Sequence, residues 1–550
     1  MMSLKNALGT IAAVIVLGLT PALAQSGDYD LIIRGGRIVD GTGNPAFNGD
    51  VAVKDGRIAA VGQLGTARAG RTIDARNRIV APGFIDLHTH GDVTLLADGR
   101  GESRVRDGVT LEVIGEKSTV APRDGLKPQT EDGVQVNWTT FTQYFSRIEE
   151  QGISLNLLTF VSSDQIRSVV MGPDNPRPAT PAQLDQMKKL MARSMEEGAA
   201  GLVTRFESGG PPYPEEVIEL AKIAASYGGT YNSHIGSEGN EQEKELAFAI
   251  RVAEEAAVPV EIYHLKIRGN PLWGTIGKYI KQVEDARARG LDITANQYPY
   301  TAMHHGWSAF FPVWVREGGT EAFGRRLKDP KVRARIKADK DFATWVEEHG
   351  GWDGIHLGRT QSAQHKQYEG KSVTEIARLR GDKDPADAVI TIMADDGGRT
   401  SGIFVNMSED DVRMIMRQPW VAVGSDGAAI NVDAPGVPHA RSFSTQSRIL
   451  GHYVREEGVL TLEDAVRKMT SLPAQILRLQ DHGRIEKGYV ADIVVFDPKT
   501  VGATNTLERP KSYSKGFDAV IVNGVTVVEK DQHTGARPGR VLFGPGHSAR

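Results

Sequence analysis

The strongest constraint in this chain is an alternation. Eight short, mostly apolar runs lie at 79–87, 108–115, 154–161, 199–206, 229–233, 259–265, 291–297 and 419–424. Stretches of helical periodicity separate most of them, the clearest being Thr139 to Glu150, Pro181 to Glu197, Pro214 to Ser226, Glu241 to Ala256 and Ile276 to Arg289. Strands that are apolar on both faces belong in a parallel sheet covered by helices. Eight such units predict an α/β chain folded as a (β/α)8 barrel of the TIM type. A doubly wound open sheet is the alternative, but no Gly-x-Gly-x-x-Gly follows an early strand.

The two ends of the chain read differently. Residues 25–80 and 481–550 are rich in short strands with Gly turns, such as Lys54-Asp55-Gly56-Arg57 and the pair of strands around Asn523-Gly524. Neither block is large enough to close a core alone. Together they predict one small composite β-sandwich beside a barrel spanning 81–480. Residues 301–418 then form a long insertion between the seventh and eighth strands, with helices at Glu321 to Asp341, Val373 to Arg380 and Pro385 to Met393. An insertion of that length on a barrel's rim reads as a lid.

The first 24 residues carry one charge, Lys5, then an apolar run from Ile11 to Leu19, then Ala22-Leu23-Ala24. That is the pattern of a cleavable secretory signal peptide, with cleavage after Ala24 and a periplasmic or secreted mature chain. The apolar run is too short to span a membrane. The chain has no Cys, which excludes disulfides, thiolate metal sites and lipid attachment at a leader Cys. A net charge of −4 favours neither nucleic acid nor an anionic membrane as partner.

The polar residues at the strand ends carry the chemistry. The first run ends in His88-Thr89-His90, and residues two apart on a strand share a face. The second ends in Glu116-Lys117, the fifth in Ser233-His234, the sixth in His264-Leu265-Lys266, the seventh in Tyr298-Pro299-Tyr300 and the eighth in Ser425-Asp426. A barrel brings all of these ends to one rim, where active sites sit. Imidazole with carboxylate suits Zn²⁺ best, with Mn²⁺, Fe²⁺ or Co²⁺ possible. Six candidate ligands, His88, His90, Glu116, His234, His264 and Asp426, exceed the need of one tetrahedral ion. They serve either two ions bridged by a carboxylate or one ion and a vacant second position. A metal that lowers the pKa of bound water to roughly 7 and polarises a carbonyl points to hydrolysis of an amide-type bond.

At these motifs the chain resembles the amidohydrolase superfamily, and within it the N-acyl-D-amino-acid deacylase (D-aminoacylase) family. The resemblance runs over about residues 29 to 540. It is carried by Pro82-Gly-Phe-Ile-Asp-Leu-His-Thr-His-Gly-Asp92, Ser233-His234, His264-Leu265-Lys266, Tyr298-Pro299-Tyr300, Gly424-Ser425-Asp426-Gly427, Pro438 to Phe443 and Gly483 to Asp492. It implies one metal site from His88, His90 and Asp426 and a second, tighter one from His234 and His264. Where the family commonly bridges the sites with a Cys, this chain offers Glu116, with a carbamylated Lys117 as the rival. The resemblance makes Asp426 the catalytic acid–base. It also makes Lys266, Tyr298 and Arg441 the clamp for a small substrate's free carboxylate, a role that an Arg fork with a Lys charge suits. The expected reaction is deacylation of N-acyl-D-amino acids. A dipeptidase on D-residues, a cyclic-amide hydrolase of the dihydroorotase or hydantoinase kind, and a non-enzymatic binding protein on the same frame are the alternatives. His304 and His305 stand where the family has small residues, and are expected to pack within the lid or face solvent.

Overall fold

The computed structural model describes residues 28–116, 120–172, 175, 177–205 and 213–548. The leader expected at 1–24, Lys117 and Phe206 to Pro212 lie outside the described residues.

The alternation becomes a mixed α/β fold. Among the described residues nine parallel segments follow one another in space in chain order, the third and fourth being one run broken at Phe160. Phe84–Asp86 pairs Val109–Ile114, which pairs Asn156–Thr159. After a break at Phe160, Val161–Ser162 begins a second parallel run through Gly201–Arg205, Thr230–His234, Val260–Ile262, Ile293–Gln297 and Val421–Val423. A parallel bridge joins Thr89 to Gly427. The Asp426 N–H donates to His88 O and the His90 N–H to Gly427 O, both at 2.7 Å. The residues after the first strand and after the last therefore lie side by side.

The intervening helices are Phe141–Gln151, Pro181–Glu197, Pro214–Ser226, Gln242–Ala256 and Ile276–Ala288. Local chemistry fixes their starts. Thr180 and Gln183 form a reciprocal capping box ahead of Pro181, whose missing N–H costs nothing in a helix's first turn. Met187, Met191 and Met195 recur every four residues and are buried in the core shared with the parallel strands.

The run expected as one strand at 79–87 is two. Ile79–Pro82 pairs antiparallel with Ile493–Phe496 and parallel with the end of Tyr29–Ile38, while Phe84–Asp86 joins the parallel sheet. Gly83 sits at the break, where a Cβ would lie 2.2 Å from Thr110 Oγ1, so only glycine lets the chain cross so close. Ile79–Pro82 also welds the two ends of the chain. The four strands from Tyr29 to Asp74 and the strands Ile493–Phe496, Phe517–Val522, Val525–Glu529 and Gln532–His533 belong to one nine-stranded sheet with it.

The insertion also departs from expectation. The single helix read at 321–341 is three: Gly319–Arg326, Pro330–Lys337 and Lys340–Glu348. Asp329 caps the second ahead of Pro330, and Asp339 caps the third. Charged residues on every face hid those two starts. The insertion also holds an antiparallel sheet, Ala302–Gly306, Ser401–Val405 and Ile355–Arg359, and its own core around Trp307, Phe310, Phe311 and Phe404. No helix among the described residues is long and apolar enough to cross a membrane.

Candidate active site

Every expected ligand converges on one cavity of about 1500 Å³, lined by strand ends on one side and the insertion on the other. His88, buried behind its rim, touches Glu116 Oε2 through Nε2. The other Glu116 oxygen, Oε1, lies 2.7 Å from His234 Nδ1. One carboxylate therefore spans the histidines of two different strands. His90 Nε2 is 2.8 Å from Asp426 Oδ1, and Asp426 Oδ2 is 3.9 Å from His264 Nε2. The His234 and His264 rings stand 4.5 Å apart, and those of His88 and His264 5.0 Å.

Among the described residues, two groups have donor atoms all within 4.8 Å of one another: His88, His90, Glu116 and Asp426, and His234, Glu238 and His264. All donors are imidazole nitrogen or carboxylate oxygen, the set that suits zinc. Imidazoles pressed against buried carboxylates are the arrangement a cation would complete. The residues present fit a divalent metal.

Electrostatics keeps the carboxylates charged. Burial works to raise Glu116, but His234 and His88 outweigh it and hold the acid well below its ordinary range. Burial likewise opposes ionisation of Asp426, and the charges of Arg441 and His88 with the His90 hydrogen bond override it. Burial would depress His88, yet Asp426 and Glu116 raise it above its usual value. His264 is pushed down to about 3, by burial and then by the neighbouring Lys266 charge, so its ring is neutral.

The sequence reading missed Glu238. It lies past the end of Thr230–His234, buried, with Oε1 2.9 Å from His264 Nδ1 and in contact with Lys266 Nζ. An acid on Nδ1 favours the tautomer whose Nε2 lone pair faces the cluster. Its only signal was a carboxylate four residues after a candidate ligand, in a segment with no helical or strand pattern.

The three clamp residues come together, already partnered. Lys266 is held by Glu238 and lies 2.7 Å from His264 Nδ1. Arg441 Nη1 is 2.8 Å from Asp426 Oδ2. Both cations face the Tyr298 ring, at 5.2 and 4.9 Å from its centre, and the Tyr298 hydroxyl is buried beside Arg441. His305 packs within the insertion as expected, stacked 4.2 Å from Phe404 and pushed down to about 3 by burial.

Polar residues inside the strands position the ligands from below. Glu261 accepts from Asn232 Nδ2 at 2.8 Å and Asn296 Nδ2 at 2.7 Å. Asn296 Oδ1 in turn accepts the His264 N–H at 2.8 Å. His264 and Asp426 both have left-handed backbones, φ +36° and +52°, which side chains other than Gly rarely adopt without outside support. For Asp426 the support includes Asp86, which accepts the adjacent Ser425 N–H at 2.8 Å, and Arg104, which donates to Ser425 Oγ at 3.0 Å. Arg104 also donates to the carbonyls of Arg441 and Ser442, and is itself wholly buried.

The chain is similar to known proteins over most of its length. Residues 71–528 match the sequence profile of the amidohydrolase family. The chain is 32% identical to a D-aminoacylase of Alcaligenes xylosoxydans xylosoxydans, over 94% of this chain and 98% of that one. It is 31% identical to an N-acyl-D-glutamate deacylase of the same organism, over 93% and 96%. The crystal structure of N-acyl-D-glutamate deacylase from Bordetella bronchiseptica, complexed with zinc and a phosphonate mimic of the tetrahedral intermediate, superposes with a TM-score of 0.78. The pair are 28% identical, and the match covers 94% of this chain and 99% of that one.

Proposed function

The chain belongs to the amidohydrolase family, and from that premise we propose that it is a metal-dependent hydrolase of linear amides that deacylates N-acyl-D-amino acids to a carboxylate and a free D-amino acid. What carries the reading is the meeting of His88, His90, Glu116, His234, His264 and Asp426 at one cavity. Zinc, one or two ions per chain, is the metal we assign. His88, His90 and Asp426 would hold one ion, His234 and His264 the other, and Glu116 would bridge them. A bound zinc ion lowers the pKa of water to roughly 7 and polarises the scissile carbonyl.

The chain's own groups do the rest. Asp426, kept ionised by Arg441 and His88, takes a proton from the attacking water and delivers it to the leaving nitrogen, without which an amine leaves poorly. Lys266, Tyr298 and Arg441 orient the substrate through its free carboxylate. That clamp favours a linear N-acyl amino acid over a neutral cyclic amide. The D configuration rests on the named relatives alone.

Architecture and address belong to the same reading. The two parallel runs form one closed (β/α)8 barrel, supported by the Thr89–Gly427 bridge. The nine-stranded sheet is a composite β-sandwich from both chain ends, and 301–418 caps the cavity. The first 24 residues direct the mature chain to the periplasm or outside the cell, which amino-terminal sequencing of the exported protein checks.

The deciding assay pairs N-acetyl- and longer N-acyl-D-amino acids with their L-isomers, with and without a chelator. Turnover of the D-isomers that chelator abolishes and zinc restores is the expected result. Equal turnover of both isomers, or hydrolysis of hydantoins only, would overturn the proposal.

A further inference from the structure

Among the described residues six Lys and Arg side chains line the cavity, and five have a partner. Lys266 has Glu238, Arg441 has Asp426, Arg205 lies 3.7 Å from Glu116, Arg359 lies 3.9 Å from Asp132, and Arg316 is engaged as well. Arg268 is the exception among the described residues. It is only 7% exposed, and its Nε is enclosed and makes no hydrogen bond. No carboxylate among the described residues lies within ion-pair distance. Its one side-chain contact of note is the Trp345 indole face, 6.0 Å from the guanidinium carbon.

The surroundings are built rather than accidental. The Arg268 N–H donates to Glu238 O at 2.8 Å, which fixes the segment's course. Trp345 is clamped between His349, ring to ring at 3.2 Å, and Phe310 at 4.4 Å. Burial, followed by the Arg268 charge, keeps His349 well below its ordinary pKa and so neutral. No carboxylate among the described residues pairs with the guanidinium. A desolvated cation without a counter-ion is costly to keep, unless the bound state supplies one. A guanidinium fork matches a planar carboxylate with two parallel hydrogen bonds, and the pairing is stronger where water is excluded.

Resting on the deacylase reading above, we propose that Arg268 is the subsite for a second carboxylate on the substrate, so that the enzyme prefers N-acyl amino acids with an acidic side chain. The first carboxylate goes to Lys266, Tyr298 and Arg441. The second reaches Arg268 against the insertion's aromatic stack. The insertion thus takes part in side-chain selection as well as covering the cavity.

The test is a ratio, kcat/KM for N-acetyl-D-glutamate over N-acetyl-D-glutamine, in wild type, R268K and R268M. A ratio is internal to each preparation, so a partly unfolded variant still reads correctly. Wild type should favour the acid. R268M should lower the ratio at least about 30-fold, and R268K, with the charge but not the fork, by less. A wild-type preference for the amide overturns the proposal. So does a ratio unchanged in R268M, which would move Arg268 to the α-carboxylate. Calorimetry with glutarate reads the same site without turnover. Weaker glutarate binding in R268M sustains the acid subsite even if no N-acyl amino acid is hydrolysed, and then the deacylase reading is the one that falls. Equal binding in both proteins overturns the subsite.

Discussion

Glu261 makes the sharpest physical prediction. It is almost wholly buried beneath the ligand histidines, and burial drives its pKa from 4.5 up to about 8, against the opposing hydrogen bonds from Asn296 and Asn232. A carboxyl whose folded pKa is raised gives stability that is whole below the unfolded pKa and lost as pH rises through the folded one. The window here runs from 4.5 to about 8. Across it the native state holds a proton that the unfolded chain has released. At about 1.36 kcal/mol per unit, integration between pH 6 and pH 8 gives a loss of about 2 kcal/mol from this one group. Glu261→Gln keeps the shape and removes the titration. Thermal melts of metal-stripped wild type and E261Q at both pH values should diverge. Wild type should lose more than the variant, by about 2 °C in Tm if the chain has the usual unfolding entropy per residue. E261Q should be somewhat less stable at pH 6, because one Asn amide then faces the Gln amide rather than an oxygen. Parallel pH dependence in the two proteins would show that Glu261 is ionised in the fold and that the burial argument fails.

Three other substitutions test the site directly. Asp426→Asn should lower kcat by about 10²- to 10⁴-fold with the fold intact by circular dichroism, the range expected for losing a positioned acid–base group. Retained activity would reassign the proton carrier. Glu116→Gln should reduce the metal retained on dialysis against a weak chelator, measured by elemental analysis, because the carboxylate spanning His88 and His234 loses its charge. Undiminished metal would favour the Lys117 bridge. Glu238→Gln should weaken metal affinity or activity by about 10- to 100-fold, as other partners behind ligand imidazoles do, and an unaffected variant would mean that His264 keeps its tautomer unaided.

The alternation of apolar runs and helices was legible because burial on both faces removes polar residues from a parallel strand. All eight runs contain parallel strands near the positions read from sequence. The errors fall where tertiary structure overrides a local pattern. The run 79–87 is apolar apart from Asp86, and its Pro82-Gly83 marks a break without saying that the chain there passes from one sheet to another. That boundary depends on Ile493–Phe496, more than four hundred positions away. The helix read at 321–341 broke at two Asp caps that compete with a run of charges. The ligands were legible because polar residues at the ends of apolar strands are conspicuous. Glu238 and Arg268 were not, because each lies in an irregular segment where a charge is ordinary. Burial makes them unusual, and burial of a loop residue is not written in its neighbours.

The same distinction governs how the cavity holds so much charge. Glu116, Glu238 and Asp426 are buried, yet each has at least two imidazole or cationic neighbours within 4 Å. A buried carboxylate with one such neighbour removed can cost about 3–5 kcal/mol. The cluster therefore resists single substitutions unevenly. Removing Arg441 leaves Asp426 with its imidazoles, but removing Lys266 leaves Glu238 with His264, whose ring is neutral and whose Nδ1–H is its remaining donor. Lys266→Met should therefore destabilise the fold more than Arg441→Met, although the resemblance to deacylases gives both the same task. Pairing Lys266→Met with Glu238→Gln should recover most of that difference, since the stranded charge goes with its partner. If both single variants melt together, the Lys266–Glu238 contact contributes little to stability, and the neutral ring of His264 needs another cause.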